Sequence, residues 1–73
     1  MRIIVFGSLS SDLGWKEKRI PWEKNITPKK VWDKEINLNI EQIKPALNFE
    51  FCKWDATVPE NSELAFLPPM SGG

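Results

Sequence analysis

The sequence contains no histidine, one cysteine, and no excess of either charge. Each shortage excludes something. Histidine is the commonest general base and the commonest transition-metal ligand. Without it, neither a Ser-His-Asp nor a Cys-His nucleophilic site can be built from this chain alone. A single cysteine, Cys52, allows no internal disulfide, which suits a reducing cytoplasm. Ten basic residues balance ten acidic ones. A neutral chain exerts no long-range pull on phosphate backbones, which argues against a nucleic-acid partner. The basic clusters Lys29-Lys30 and Lys16-Glu17-Lys18-Arg19 read as solvated faces. No apolar run approaches the roughly 18 residues that cross a membrane. Met1 to Phe6 is too short for a signal-peptide core and reads better as a buried strand.

At 73 residues the chain is expected to form one domain. A chain of this size buries only about 60% of its unfolded surface. It has no room for a separate catalytic domain or a deep cofactor cleft. No acidic pair has convincing metal-ligand spacing, and Asp12, Asp33, Glu60 and Glu63 read as surface charges.

Arg2 to Phe6 carries β-branched residues on both faces, the pattern of a strand covered on both sides. Ser8 to Gly14 is expected to be a loop or a single helical turn closed by Gly14, with Leu9 and Leu13 on one face. Glu17 to Trp22 reads as a second strand, placed at a sheet edge by Pro21. Thr27 can cap a helix whose first position suits Pro28. That helix is expected over Pro28 to Glu35, with Val31 and Trp32 in the core. Ile36 to Ile43 fits both helical and strand spacing, and a loop or a further helical turn is favoured. Pro45 is expected to break that segment. Ala46 to Trp54 then reads as one strand, with Leu47, Phe49 and Phe51 on one face and Cys52 and Trp54 on the other. After a turn at Pro59 to Ser62, Glu63 to Leu67 forms the last strand, with Leu64 and Phe66 on one face. This order predicts an α+β domain: a small mixed sheet with one main helix on one face.

The chemistry is expected at the end of the chain. Pro68 and Pro69 stop the last strand and hold the backbone extended. Met70, Ser71, Gly72 and Gly73 follow. The two glycines remove all side chains from the tip. Residues 68–73 could extend roughly 20 Å. A bare carboxylate on a thin stalk can be threaded through a narrow channel into another protein's active site. A carboxylate is a poor acyl donor until it is activated. Joining it to AMP from ATP gives a mixed anhydride that a sulfur nucleophile can attack, and glycine lets the backbone approach the nucleotide closely. Cys52 reads as a packed or partly exposed thiol, with no histidine to activate it. Of Trp15, Trp22, Trp32 and Trp54, the core is expected to take Trp32, and a contact surface Trp54 or Trp22.

The ending Phe66-Leu67-Pro68-Pro69-Met70-Ser71-Gly72-Gly73 resembles that of molybdopterin synthase small subunits, the MoaD family, typically Phe-Phe-Pro-Pro-X-X-Gly-Gly. Ala46-Leu47-Asn48, Thr57-Val58-Pro59 and Glu63-Leu64-Ala65 resemble the family's later strands and turn. Phe6-Gly7-Ser8-Leu9 and Leu13-Gly14 resemble its Phe-Ala-X-Leu and Leu-Gly. Lys16 to Lys44 matches poorly, and Leu67 replaces a usual Phe. The resemblance implies a β-grasp (ubiquitin-like) domain over 1–67 and an extended tail over 68–73. It implies that a ubiquitin-activator-like enzyme uses ATP to adenylate Gly73, and that a sulfurtransferase converts it to a thiocarboxylate, a C-terminal thioglycine. The tail, Pro68 to Gly72, would thread into the large subunit of molybdopterin synthase, with Phe66, Leu67 and Trp54 at the partner interface. Sulfur would pass there to cyclic pyranopterin monophosphate. The chain would be a cytoplasmic sulfur-donating subunit, not a catalyst alone, with no metal and no permanently bound cofactor. A carrier for thiamin or tRNA thiolation, and a protein modifier conjugated through Gly73, are the alternatives. Thiamin-type carriers share Gly-Gly but usually lack Pro-Pro.

Overall fold

The computed structural model describes residues 1–69. Five strands form one mixed sheet: β1 (Arg2–Val5), β2 (Glu17–Arg19), β3 (Lys44–Leu47), β4 (Glu50–Phe51) and β5 (Glu63–Leu67). Their order across the sheet is β2-β1-β5-β3-β4. β1 and β5 run parallel, with Ile3 beside Leu64 and Val5 beside Phe66. The remaining pairs are antiparallel. The last strand in sequence is therefore the middle strand in space. Helix α1 (Ser8–Leu13) follows β1, and α2 (Pro28–Val31) continues into a π-helical turn, Trp32–Ile36. This is the expected α+β architecture.

Local chemistry sets the helix ends. The Thr27 hydroxyl accepts from the Lys30 N–H at 3.2 Å, and Pro28 occupies the first turn. The Lys29 N–H donates to the Trp54 carbonyl at 3.0 Å, which ties the helix start to the loop before β5. The π turn closes with Asn37 N–H on the Trp32 carbonyl, and the Trp32 indole donates to the Leu38 carbonyl at 2.7 Å. Asn37 then takes φ 55 and ends the helix. Gly14 caps α1 at φ 80, where its N–H reaches the Ser10 carbonyl.

Alternate residues of β1 and β5 point inward and are buried: Ile3, Val5, Leu64 and Phe66. Val31, Trp32 and Ile36 cover them, with Leu9, Ile26 and Val58 closing the sides. Each such aliphatic or aromatic side chain contributes about 1.5–3 kcal/mol on full burial.

Several expectations are corrected. β1 is covered on one face only, since Ile4 is half-buried and Phe6 exposed. β2 stops at Arg19; beyond the ladder Ile20 and Trp22 pack against the core. The 36–43 segment does end before Pro45, but Pro45 lies buried inside β3 rather than ahead of it, where its carbonyl accepts from the Cys52 N–H. Ala46 to Trp54 is not one strand. Asn48 and Phe49 both adopt positive φ, 50 and 73, and fold the chain into a tight hairpin.

Candidate functional site: the root of the C-terminal tail

β5 delivers the chain end from the centre of the sheet. Leu67 pairs with Lys44 across β3, and the Phe6 N–H reaches the Phe66 carbonyl at 3.3 Å on the other side. Strands on both flanks therefore hold the last residues of β5. Pro68 follows half-buried and Pro69 is exposed. Met70, Ser71, Gly72 and Gly73, which carry most of the expected chemistry, lie outside the described residues.

Pro68 does not leave the sheet unsupported. Gly7 sits beneath it at φ 56 and ψ −133. A Cβ at residue 7 would lie 3.1 Å from Pro68 Cγ. Only glycine takes this backbone conformation readily.

The outer face of the sheet adjoins this root. Ile4, Phe6, Ala46, Phe49, Phe51, Ala65 and Leu67 line a shallow apolar groove, with Arg2 and Glu63 at its far end. Phe49 is 89% exposed and Phe51 68%. Arg2 and Glu63 form an ion pair across the parallel strands. Lys44 stands over the Phe51 ring at 5.7 Å. A second groove, lined by Gln42, Lys44, Phe51, Leu67, Pro68 and Pro69, continues along the tail root. Contiguous exposed apolar surface of this kind is one on which another protein can pack.

Of the three residues expected at the partner interface, the structure leaves one available. Leu67 is half-buried on the outer face. Phe66 is fully buried and points the other way. Trp54 is half-buried and lies against the core, stacked on Phe66 at 5.7 Å and edge-on to Trp32 at 5.6 Å. Trp22 also packs against the core, its indole N–H on the Val58 carbonyl at 2.7 Å. The exposed aromatic residues that sequence reasoning missed are Phe6, Phe49 and Phe51. The signal for Phe49 was an Asn-Phe pair inside an alternating run, since Asn tolerates positive φ.

The chemistry present among the described residues is sparse. No group of three or more Cys, Asp or Glu side chains among them could hold a metal ion. Burial pushes the Cys52 thiol above its ordinary value, and a backbone hydrogen bond with Leu47 offsets part of this. Such a thiol is protonated at neutral pH and is a poor nucleophile. No helix among the described residues is long and apolar enough to cross a membrane.

Several solved structures share this architecture. SAMP1 from Haloferax volcanii superposes with a TM-score of 0.81 at 21% identity, covering 100% of this chain and 98% of its own. A putative molybdopterin converting factor, subunit 1, from Pyrococcus furiosus gives 0.72 at 13% identity, covering 94% and 95%. Urm1 from Sulfolobus solfataricus gives 0.60 at 18%, covering 93% and 99%. At these identities the likeness establishes a shared ubiquitin-like fold. None of the curated proteins matches the sequence. The sequence pattern of one family runs through nearly the whole chain, residues 3–73, and with it the chain belongs to the ThiS family of ubiquitin-like sulfur carriers.

Proposed function

We propose that this chain is the sulfur-carrying small subunit of a molybdopterin synthase. The observation that carries this reading is the pairing of a Pro-Pro-X-X-Gly-Gly ending with its origin in the central strand β5. The likeness to the Pyrococcus molybdopterin converting factor subunit supports it. The domain then serves as a handle, and the reacting group is the carboxylate of Gly73 as the C-terminal residue of the working form.

The steps follow from carbonyl chemistry. A ubiquitin-activator-like enzyme joins the Gly73 carboxylate to AMP from ATP, releasing pyrophosphate. A hydrosulfide-equivalent nucleophile delivered by a sulfurtransferase attacks the acyl carbon. AMP leaves as the C–S bond forms, and a thiocarboxylate remains. In the large subunit that sulfur bonds to cyclic pyranopterin monophosphate, water cleaves the acyl–sulfur bond, and the spent tail returns as a carboxylate. The exposed groove of Ile4, Phe6, Phe51 and Leu67 gives the activating enzyme an apolar surface beside the tail.

A second reading has its own support. The Haloferax homologue of the fold is a small archaeal modifier protein. A modifier would pass the same adenylate to a lysine amine, forming an isopeptide. Carriers for thiamin or tRNA thiolation would share the thiocarboxylate and differ in the acceptor. The intact mass after incubation with ATP, an adenylating enzyme and a sulfur source separates these. Exchange of one oxygen for sulfur at Gly73, followed by loss of that sulfur to the pterin precursor when the large subunit is added, is the expected result. An unchanged mass beside another carrier that the same enzyme does charge would overturn it. Isopeptide adducts in place of the thiocarboxylate would establish the modifier.

A further inference from the structure

We propose that Gly7 is a positioning residue: it buttresses Pro68 and so fixes the direction in which the tail leaves the sheet. The inference rests on the carrier reading for its purpose, but on geometry for its content. Four observations converge on residue 7. Its φ of 56 with ψ −133 is a conformation that side chains avoid. A Cβ there would lie 3.1 Å from Pro68 Cγ and 4.0 Å from Cδ. The residue before it, Phe6, is bonded through its N–H to the Phe66 carbonyl, so the turn is anchored to the strand that launches the tail. The Ser10 N–H and hydroxyl both donate to the Gly7 carbonyl, at 3.1 and 2.8 Å, and hold the turn from its other side.

The consequence is mechanical. Pro68 has a rigid ring and a fixed φ, so a push on the ring turns the backbone that follows. Glycine lets the ring settle against the turn backbone. A methyl at this position would displace Pro68 by a few tenths of an ångström and would change where the stalk starts relative to the apolar groove. Docking and threading then compete, because a groove seated on the partner no longer presents the tip to the reacting phosphate. A tilt at the root is magnified at the reacting end, where misplacement by about 1 Å lowers the rate of a positioned reaction steeply.

The test is a double-mutant cycle on the full chain, with Gly7→Ala, Pro68→Ala and the pair together. It is read as kcat/KM for adenylation by a purified ubiquitin-activator-like enzyme, and in parallel as thermal midpoint. If Gly7 acts through Pro68, Gly7→Ala lowers kcat/KM about tenfold, or about 1.4 kcal/mol. In the Pro68→Ala background the same change then costs almost nothing in kcat/KM. The loss of thermal stability from the positive φ persists in both backgrounds. Additive losses in kcat/KM, or a stability loss without a rate loss, would overturn the proposal. A direct reading needs no variant. Proton NMR of the unaltered chain should show a nuclear Overhauser contact between the Gly7 Hα and Pro68 Hγ protons, and its absence would also overturn the proposal. If the unaltered chain is never adenylated, the carrier reading fails, while the NMR contact still decides the buttress.

Discussion

The two faces of this sheet are made by the same strands and do opposite work. On the inner face Ile3, Val5, Leu64 and Phe66 are sealed under Val31 and Trp32. On the outer face their immediate neighbours, Ile4, Phe6, Ala65 and Leu67, line an open groove with Phe51. A strand alternates its side chains, so one residue's difference in sequence decides between the core and the surface. An exposed apolar face lowers solubility and favours self-association, and an ordinary antiparallel sheet would make it polar. Here it is kept apolar beside the root of the tail. On the proposed reading the inner residues supply stability and the outer ones recognition.

The strongest way to break that division is Phe66→Ala. Phe66 lies 5.0 Å from Trp32 and stacks on Trp54, so the change empties the middle of the core. Large-to-small changes of this kind cost about 3–5 kcal/mol. A domain of 73 residues holding about 0.05–0.15 kcal/mol per residue has only about 4–11 kcal/mol in total. Urea unfolding should find the variant's midpoint sharply lowered. A cooperative transition near the unaltered midpoint would show that the inner aromatics do not carry the fold.

Phe51→Asp on the outer face should give the opposite pattern. The side chain is exposed, and Lys44 beside it offsets the added charge. The thermal midpoint should move little, since surface changes stay within about 0.5 kcal/mol. The kcat/KM for adenylation should fall at least about tenfold, mainly through KM, because the apolar contact to the activating enzyme is lost. An unchanged KM would remove the outer face from recognition and leave the tail to act alone.

These two residues also show what was legible in the sequence. The start of the main helix, with Thr27 and Pro28, and the last strand, Glu63 to Leu67, were readable because local chemistry fixes them. So was the shared face of Leu64 and Phe66. What the sequence could not supply was which face would be covered: the family resemblance places Phe66 at a partner, and the fold buries it. Alternation runs from Leu47 to Phe51 and hides the hairpin. The turn residues are Asn48 and Phe49, and only the first suits positive φ. A tertiary contact holds them: the Asn48 N–H donates to the Glu63 carbonyl at 2.9 Å, and its side-chain oxygen accepts from the Glu63 N–H at 3.0 Å. Such pairing between residues 15 apart leaves no mark in a local pattern. Pro45 misled for a related reason. A proline missing one donor still fits a ladder when its carbonyl finds Cys52.

A smaller effect sharpens the comparison at its margin. Trp22→Phe keeps most of the ring that packs against the core and removes the indole donor to the Val58 carbonyl, 2.7 Å away. Losing one such bond costs about 0.5–1.5 kcal/mol. For a domain of this size that lowers the midpoint by about 4–8 °C per kcal/mol. Adenylation kinetics below the transition should be unchanged, which places Trp22 with the inner set. A rate loss without a shift in midpoint would return it to the contact surface.

The smallest effect is expected at Cys52, and its sign is informative. Cys52→Ser should leave adenylation and sulfur loading intact, since the sulfur is carried at Gly73 in the proposed reaction. Its pH dependence separates a packed thiol from a reactive one. Burial raises the folded-state value, with the backbone hydrogen bond opposing. The folded protein therefore keeps its proton at a pH where the unfolded chain has lost it. Folded stability from this group is present below the unfolded value and is lost as pH rises through the folded one. The unaltered chain should lose stability relative to Cys52→Ser only in alkaline solution, above the ordinary cysteine range. Iodoacetamide should alkylate Cys52 more slowly near pH 8 than it alkylates a free cysteine peptide, because the thiolate is the reacting form. Faster alkylation would mean that the strand environment stabilises the thiolate. Cys52 would then become a candidate second sulfur site on a chain whose described residues otherwise offer none.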